Sequence, residues 1–209
     1  MYLAVTTRPD LTHAVQHLSQ FSIQPGPEHM SALKHVFHYL HGTITLGITF
    51  RGTGDLHMYS DSNWASDTID CHSITGYISY FGSAPISWSS RKQPTVALST
   101  METEYMALAK ATCKTIWLRK LFSELGIPTN SSTTIFINNQ SAMHFAENPV
   151  FYARSKHIDI RHHFVRECLA SNKVILNHCA SKENVADMFT KPLVKPQFIT
   201  LHDCVLGVV

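Results

Sequence analysis

Three carboxylates stand among residues that are otherwise apolar or uncharged. Asp61 follows the uncharged run 57–60, Glu104 falls on the apolar stripe of a predicted helix, and Asp187 lies in the first turns of a short helix. A carboxylate that faces a core is costly unless a cation neutralises it, and clustered acids repel each other unless a divalent metal lies between them. Oxygen ligands favour Mg²⁺ or Mn²⁺, and two such ions can stabilise the attacking and leaving oxygens of a phosphoryl transfer. Taken singly, Asp61 is more simply a turn-forming residue, and Asp187 is as readily a charge at a helix N-terminus.

A fourth acid, Glu102, is two residues from Glu104 and therefore about 200° away around a helix of about 3.6 residues per turn. Glu104 shares its face with Tyr105 and Leu108, whereas Glu102 points toward the side that bears Lys120. We therefore expect Glu104 to face the core and Glu102 to be a solvated helix acid.

Short apolar runs bounded by Gly, Ser and Asp are followed by alternating helix and strand patterns, which is typical of an α/β fold with a mixed sheet. Two helices in the first 45 residues or so, separated by the Gln-Pro-Gly-Pro turn, are too short to bury their own apolar faces and should dock on something else. The predicted strands are 44–50, 55–61, 75–81, 84–89, 133–138 and 173–179, and the later predicted helices are 100–125, 141–147, 159–170 and 181–190.

Composition excludes several classes of protein. The chain has 209 residues, 15% of them charged, and a net charge of +2, which permits a nucleic-acid partner without demanding one. Its five cysteines are odd in number and include no C-x-x-C, so neither a disulfide framework nor a zinc knuckle is expected. No apolar run approaches the ~18 residues of a membrane helix. The start lacks the layout of a signal peptide, so we expect an intracellular protein, in the cytoplasm or nucleus, that is not secreted.

Seven strings stand in one order along the chain, namely TTRPDLTHAVQHLSQF, YLHGTITLGITF, YSDSNWASD, SITGYISYFGSAPISWSSRKQPTVALSTMETEYMAL, INNQSAMHFAENPVF, RSKHIDIRHHFVRE and ENVADMFTKPL. Together they resemble the C-terminal part of a copia-type retrotransposon Pol polyprotein. The resemblance implies a ribonuclease H-like mixed five-stranded sheet flanked by helices, behind a small N-terminal helical segment. It divides the chain into a reverse transcriptase remnant (1–43), a ribonuclease H-like domain (44–195) and a tail (196–209). The paired aspartates of the family's polymerase centre have no counterpart here, so no DNA synthesis is expected.

The resemblance also assigns the site. The family's acidic metal ligands fall on Asp61, Glu104 and Asp187, which would hold two Mg²⁺ or Mn²⁺ ions. The fourth catalytic position, an acid in the family's D-N-Q-S-A string, is Asn138 in this chain. An amide oxygen still ligates a cation but brings no charge, so at most a feeble nuclease is expected.

Nucleic-acid contacts are expected around these acids. Arg91 and Lys92, placed in the loop before the long helix, and Arg154, Lys156 and His157, placed in the loop after the Asn-Pro pair, could grip phosphates. Solvated loop charge is the equally simple alternative. The full set predicted to bind nucleic acid is Asn63, Arg91, Lys92, Asn139, Gln140, Lys156 and His157.

Two other residue types allow a structural and a functional interpretation. Trp64, Trp88 and Trp117 are expected to pack in or near the core, with stacking on a base as the alternative. His178, nine residues before Asp187, is expected to be a surface residue at a strand end, with a role in product release as the alternative.

The function implied by the resemblance is hydrolysis of the RNA strand of an RNA–DNA hybrid, with the remainder of the Pol polyprotein as a partner and no membrane. One alternative is a catalytically silent remnant that still binds nucleic acid. Another is an unstable chain whose front helices lack the polymerase that they once packed against.

Overall fold

The strands are β1 (Leu56–Asn63), β2 (Ile74–Phe81), β3 (Ala84–Lys92), β4 (Thr133–Ile137) and β5 (Val174–His178). They belong to a computed structural model that describes residues 1–50, 54–67, 70–148 and 156–208, with the backbone alone for 156–162. The strands form one sheet in the order β3-β2-β1-β4-β5. β1, β2 and β3 are antiparallel neighbours, while β4 and β5 run parallel to β1. This mixed sheet confirms the predicted fold class.

Helices cover the sheet and precede it. They are α1 (Tyr2–Thr6), α2 (Thr12–Ser19), α3 (Pro27–Gly42), α4 (Thr100–Glu124), α5 (Gln140–Glu147), α6 (Lys156–Ala170) and α7 (Lys195–Leu206), with 3₁₀ helices at Pro9–Leu11 and Val185–Phe189. The parallel strands β1, β4 and β5 need long crossovers, and α4, α5 and α6 lie within them. The antiparallel pair β2–β3 needs only the turn at Gly82, whose φ of 60° is readily adopted by glycine. No helix among the described residues is long and apolar enough to cross a membrane.

Two apolar cores lie on opposite faces of the sheet. On one face α4 contributes Tyr105 and Leu108, which join Met58 of β1 and Ile135 of β4. The second core joins β2 to the 3₁₀ helix Val185–Phe189 and to α7, and its buried residues are Ile78, Tyr80, Val185, Met188, Phe189, Leu201 and Val205. The sheet therefore holds α4 on one side and the last two helical segments on the other.

A buried ion pair ties the first 43 residues to one another and brings them against α7. The guanidinium of Arg8 donates from Nε to Asp10 Oδ1 at 3.0 Å and from Nη2 to Oδ2 at 2.8 Å. Arg8 also donates to the Thr43 carbonyl at 3.1 Å, and the Tyr39 hydroxyl donates to Asp10 at 2.8 Å. His202 of α7 lies 3.9 Å from the same Asp10 carboxylate. α3 itself contributes no buried residue, so it forms the outer layer of this segment.

A second link joins the N-terminal helices to the sheet. The indole N–H of Trp88 in β3 donates to the Ala4 carbonyl of α1 at 2.7 Å. Lys92 at the end of the same strand donates to Gln20 Oε1 at 3.2 Å. The front helices thus pack on the edge strand, in agreement with the expectation that they dock on another part of the protein.

Several predicted elements differ in the structure. The predicted strand 44–50 is wrong, because these residues form a turn and an irregular segment whose Thr49 N–H donates to the Leu206 carbonyl at the end of α7, at 2.8 Å. Residues 195–206, nearly all of which the sequence analysis treated as a tail, form α7 and bury Leu201, Val205 and Leu206. The predicted helix 181–190 is only the short 3₁₀ helix Val185–Phe189.

Candidate active site

Asp61 lies on the central strand β1, where it is 1% exposed. Its partner in β2 is Gly76. A Cβ at Gly76 would lie 2.7 Å from the Cβ of Phe189 and 2.7 Å from the Cγ2 of Thr190. Glycine therefore allows the 3₁₀ helix to approach the sheet closely beside Asp61.

Asp187 comes from that 3₁₀ helix, which is fixed to β1 by Asn184. The Asn184 side chain donates to the Ser60 carbonyl at 3.0 Å and accepts from the Ala186 N–H at 3.1 Å, so it caps the helix and attaches it to the strand that carries Asp61. Asp187 Oδ2 accepts from Gln197 of α7 at 3.3 Å, whereas its Oδ1 is buried without a hydrogen-bond partner in the described structure.

Glu104 belongs to the second turn of α4 and is buried, as predicted, beside Ser62 of β1. The prediction that Glu102 is solvated is wrong, because Glu102 is also only 8% exposed. Its carboxylate accepts from the Leu98 N–H at 2.8 Å, while its own N–H donates to Ser99 Oγ at 3.2 Å. Ser99 is therefore the N-cap of α4, and the Glu102 carboxylate turns back to the backbone of Leu98, the residue before the cap.

Asn138 and Lys191 complete the cluster. The Asn138 amide Nδ2 donates to Asp61 Oδ1 at 3.1 Å, and the Thr190 hydroxyl donates to Asp61 Oδ2. The ammonium of Lys191 is 2.9 Å from Asp187 Oδ2 and 4.0 Å from Asp61 Oδ2. The structure thus brings all four sequence-predicted catalytic residues to one end of the sheet and adds a cation to them.

Burial and mutual repulsion perturb the acids. Burial first, and then the charge of Asp187, raise the pKa of Asp61 to about 7, with Lys191 and Thr190 acting in the opposite direction. Burial and the charge of Asp61 raise the pKa of Glu104 well above its ordinary value. Burial lowers the pKa of Lys191, but the charges of Asp61 and Asp187 outweigh that effect and raise it overall. Three ionised acids would exceed the charge of the single lysine, so without a further cation the raised pKa values of Asp61 and Glu104 favour their protonated forms.

The donor set suits a hard divalent cation, although it is not arranged as a closed cage. Among the described residues, no three His, Cys, Asp or Glu side chains are close enough to form a metal-binding group. The cluster nevertheless contains three buried carboxylates, an amide, and the unpartnered Oδ1 of Asp187. Oxygen donors with excess negative charge are the ligands that Mg²⁺ and Mn²⁺ prefer.

The basic residues predicted to bind nucleic acid do not lie where the sequence analysis placed them. Arg91 and Lys92 end the edge strand β3, paired with Thr75 and Ile74, instead of lying in a loop. Pairing with β2 extends the strand through them, which the short predicted run 84–89 missed. Lys92 also forms ion pairs of 2.6 Å with Asp67 and with Asp70, so its charge is compensated.

Lys156 and His157 are the first two residues of α6 and not part of a loop. With this start, Asp159 falls in the first turn, where an acid favours helix formation. Arg154 lies outside the described residues. The role of Lys156, His157 and Arg154 in binding nucleic acid stays a prediction.

The remaining predicted contacts lie near the cluster but have different surroundings. Asn63 ends β1 and is half-buried, and Gln140 begins α5 in an exposed position. Asn139 is the N-cap of α5, and its side chain stabilises the start of that helix by accepting from the Ala142 N–H at 2.9 Å. His178 is exposed at the end of β5, in agreement with a surface residue at a strand end.

Sequence reasoning missed four residues that shape the site: Gly76, Asn184, Thr190 and Lys191. Three of them lie in the string ENVADMFTKPL, from which only Asp187 was assigned. The Asn at the start of a short helix, three residues before Asp187, was a readable capping signal. The contacts of Thr190 and Lys191 with Asp61 join residues 129 and 130 positions apart, and no local pattern marks them.

Comparison with known proteins decides the family. The chain is 43% identical over 199 residues to the retrovirus-related Pol polyprotein from transposon RE1 of Arabidopsis thaliana, an alignment that covers 94% of this chain. It is 38% identical over 199 residues to the Pol polyprotein from transposon TNT 1-94 of Nicotiana tabacum, with 95% of this chain covered. The chain belongs to the copia-type Pol polyprotein family. No known family model matches it.

This copia-type chain is short beside its relatives. It spans 14% of the RE1 protein and 15% of the TNT 1-94 protein. It is also 50% identical over 120 residues to the secreted RxLR effector protein 161 of Plasmopara viticola, covering 56% of this chain and 84% of that protein. Among solved structures, it is similar to LC11-RNase H1 in complex with RNA/DNA hybrid, with a TM-score of 0.46 and 12% identity, over 65% of this chain and 94% of that one.

Proposed function

We propose that this copia-type chain is the ribonuclease H part of a retrotransposon Pol, acting on the RNA strand of RNA–DNA hybrids. The observation that supports this function best is the cluster of Asp61, Glu104 and Asp187, three buried acids from β1, α4 and the 3₁₀ helix. Buried acids that raise one another's pKa are costly to the fold, and such costs are typical of functional sites.

Asp61, Glu104 and Asp187 would hold the metal, with the amide oxygen of Asn138 as a neutral fourth donor. Two Mg²⁺ or Mn²⁺ ions would supply an activated water and offset charge on the phosphate oxygens. Asn184 and Gly76 keep the 3₁₀ helix against the sheet, so that Asp187 stays beside Asp61. Hybrid recognition would use groove shape and the 2′-hydroxyls of the RNA, which need few base contacts.

Asn138 gives the rival function its support. Its amide N–H is already bonded to Asp61 Oδ1, so in this arrangement one carboxylate oxygen is occupied by a neutral donor. A carboxylate at this position would add a negative charge toward the metal, where a unit-charge pair at ~4 Å and an effective dielectric of ~20 is worth about 4 kcal/mol. Losing even part of that energy lowers the rate by two or three decades, at ~1.4 kcal/mol per tenfold. The rival is therefore a chain that binds hybrids without cleaving them.

Cleavage of a labelled RNA–DNA hybrid tests both functions, with Mg²⁺ and then Mn²⁺, at equal folded fractions. We expect slow cleavage by the native chain, cleavage about 100- to 1,000-fold faster by Asn138→Asp, and none by Asp61→Asn. Equal rates for the native chain and Asn138→Asp would show that the amide is tolerated. Hybrid binding without cleavage by both the native chain and Asn138→Asp would favour the silent remnant, and cleavage by Asp61→Asn would refute the assigned site.

A further inference from the structure

A cleft of about 830 Å³ runs along the edge strand β3, and none of the clustered acids lines it. We call it the edge groove; α1, α2, β2, β3 and α4 line it, and among its residues are Gln16, Ser89, Arg91, Lys110, Lys114 and Trp117. We propose that the edge groove is a binding site for single-stranded nucleic acid, which the active-site proposal does not include.

Charge is the first observation that supports this proposal. The described lining contains Arg91, Lys110 and Lys114 and no acidic residue, although the chain as a whole has 17 basic and 15 acidic residues. Arg91 and Ser89 alternate along β3 and therefore share the face of the sheet that Tyr77, the partner of Ser89, presents to the groove. Basic side chains on a lining that contributes no acid favour the approach of phosphates.

An exposed aromatic surface is the second observation. Trp117 is 53% exposed and Trp64 is 47% exposed, so the prediction that these two tryptophans pack in the core is wrong. Only Trp88 of the three packs against a core cluster. The ammonium of Lys114 lies 3.9 Å from the centre of the Trp117 ring. Trp117, but not Trp64, lines the edge groove. A cation beside an exposed ring is typical of grooves that bind single strands, because a base can stack while its phosphate meets a charge.

Unpartnered polar groups are the third observation. Ser90 is 6% exposed, yet its hydroxyl has no hydrogen-bond partner within the described structure, and the buried Oε1 of Gln16 also lacks one. Both residues line the edge groove. Buried polar groups are nearly always paired. The Ser90 hydroxyl is suited to donate to a phosphate oxygen, and Gln16 Oε1 is suited to accept from a base N–H.

The groove is also within reach of the acid cluster. Arg91 pairs with Thr75 in β2, and Thr75 pairs with Ser62 in β1, the residue after Asp61. Two strand spacings amount to about 10 Å. A strand that leaves a hybrid at the acids could therefore enter the groove within two or three nucleotides. Binding in the groove does not itself require metal or cleavage.

Fluorescence anisotropy with a labelled 20-nucleotide oligothymidylate, in EDTA and at several salt concentrations, tests the proposal on the full chain. We expect Arg91→Gln with Lys114→Gln to weaken binding at least tenfold and to reduce the slope of log K against log salt by about 1.4, since each phosphate contact contributes about 0.7. Trp117→Leu should weaken binding at least fivefold by removing a stacking surface. Lys120→Gln is the matched control, because it removes one charge from an exposed residue of the same helix.

Several outcomes would overturn the proposal. These are no binding by the native chain, full affinity in the groove variants, or an equal loss in Lys120→Gln. Displacement of the oligonucleotide by polyglutamate at equal charge concentration would show a groove for acidic peptides instead. Because the assay contains no divalent metal, a failed nuclease assignment leaves its result unaffected.

Discussion

Lys191→Met removes the cation that lies between two buried carboxylates. The ammonium is 2.9 Å from Asp187 and 4.0 Å from Asp61, and the two acids are almost fully buried. A unit-charge pair at 4 Å is worth about 4 kcal/mol at an effective dielectric of about 20. Because the Lys191 side chain is 34% exposed, solvent screens roughly half of this. Without metal, at pH 7.5, we expect the free energy of unfolding to fall by about 2 kcal/mol.

The same substitution should improve metal binding. A divalent ion placed among these acids is repelled by the ammonium, so its loss should tighten Mg²⁺ binding at least about tenfold, equivalent to ~1.4 kcal/mol. The assay is thermal melting across a Mg²⁺ titration, since a ligand that binds only the folded state raises the melting temperature by mass action. The midpoint of that rise should move to at least about tenfold lower Mg²⁺ in Lys191→Met.

Lys195→Met provides the control, because Lys195 is an exposed lysine at the start of α7. It should leave both the metal-free stability and the Mg²⁺ midpoint unchanged. Coincident midpoints for the native chain and Lys191→Met would refute the idea that the Lys191 ammonium opposes metal binding. Unchanged metal-free stability would show that the ion pairs contribute nothing in solution.

Three further predictions concern the same end of the sheet. The pKa of Asp61 is raised to about 7, so near neutral pH the folded chain holds a proton that the unfolded chain releases at about pH 4. The free energy of unfolding in EDTA should therefore fall as pH rises from 5 to 8. The difference in this free energy between the native chain and Asp61→Asn, measured by urea unfolding, should show the slope, and a flat difference contradicts it. Gly76→Ala should destabilise the fold by about 1–3 kcal/mol in the same assay, because the added methyl meets Phe189 and Thr190 at 2.7 Å; full stability would mean that the 3₁₀ helix is not seated there. Glu104→Gln should remove the rise in melting temperature with Mg²⁺, whereas Glu102→Gln should retain it, because the Glu102 carboxylate is bonded to the Leu98 N–H; the reverse result would exchange their roles.

The sequence contained enough information to find the acids. Asp61, Glu104 and Asp187 each interrupt an uncharged or apolar pattern, and burial of a charge without function is costly, so their types and positions were informative. Glu102 shows the limit of the helical-wheel argument. The wheel assigned it to the outside, but it lies in the first turn, where its side chain bends back to accept from the Leu98 N–H while Ser99 caps the helix.

Other features depended on contacts between distant parts of the chain. The alternating apolar pattern at 44–50 looked like a strand, but that segment instead meets the end of α7 through Thr49. Arg91 and Lys92 extended β3 because β2 offers pairing partners as far as Ile74. A local pattern shows which side chains of a segment can be buried. Which other segment they pack against depends on the fold as a whole.

The Arg8–Asp10 pair has a consequence for the order in which this chain can fold during translation. Arg8 and Asp10 bond with Thr43 and Tyr39, which are synthesised soon after them. The Asp10 carboxylate also lies near His202 of α7, and the Thr49 N–H bonds to the Leu206 carbonyl at the end of that helix. α7 is synthesised after all the other elements described here, and until it emerges the second face of the sheet lacks Leu201 and Val205. The nascent chain can thus form its first core around α4 while synthesis continues, but this fold closes only when α7 joins elements made much earlier.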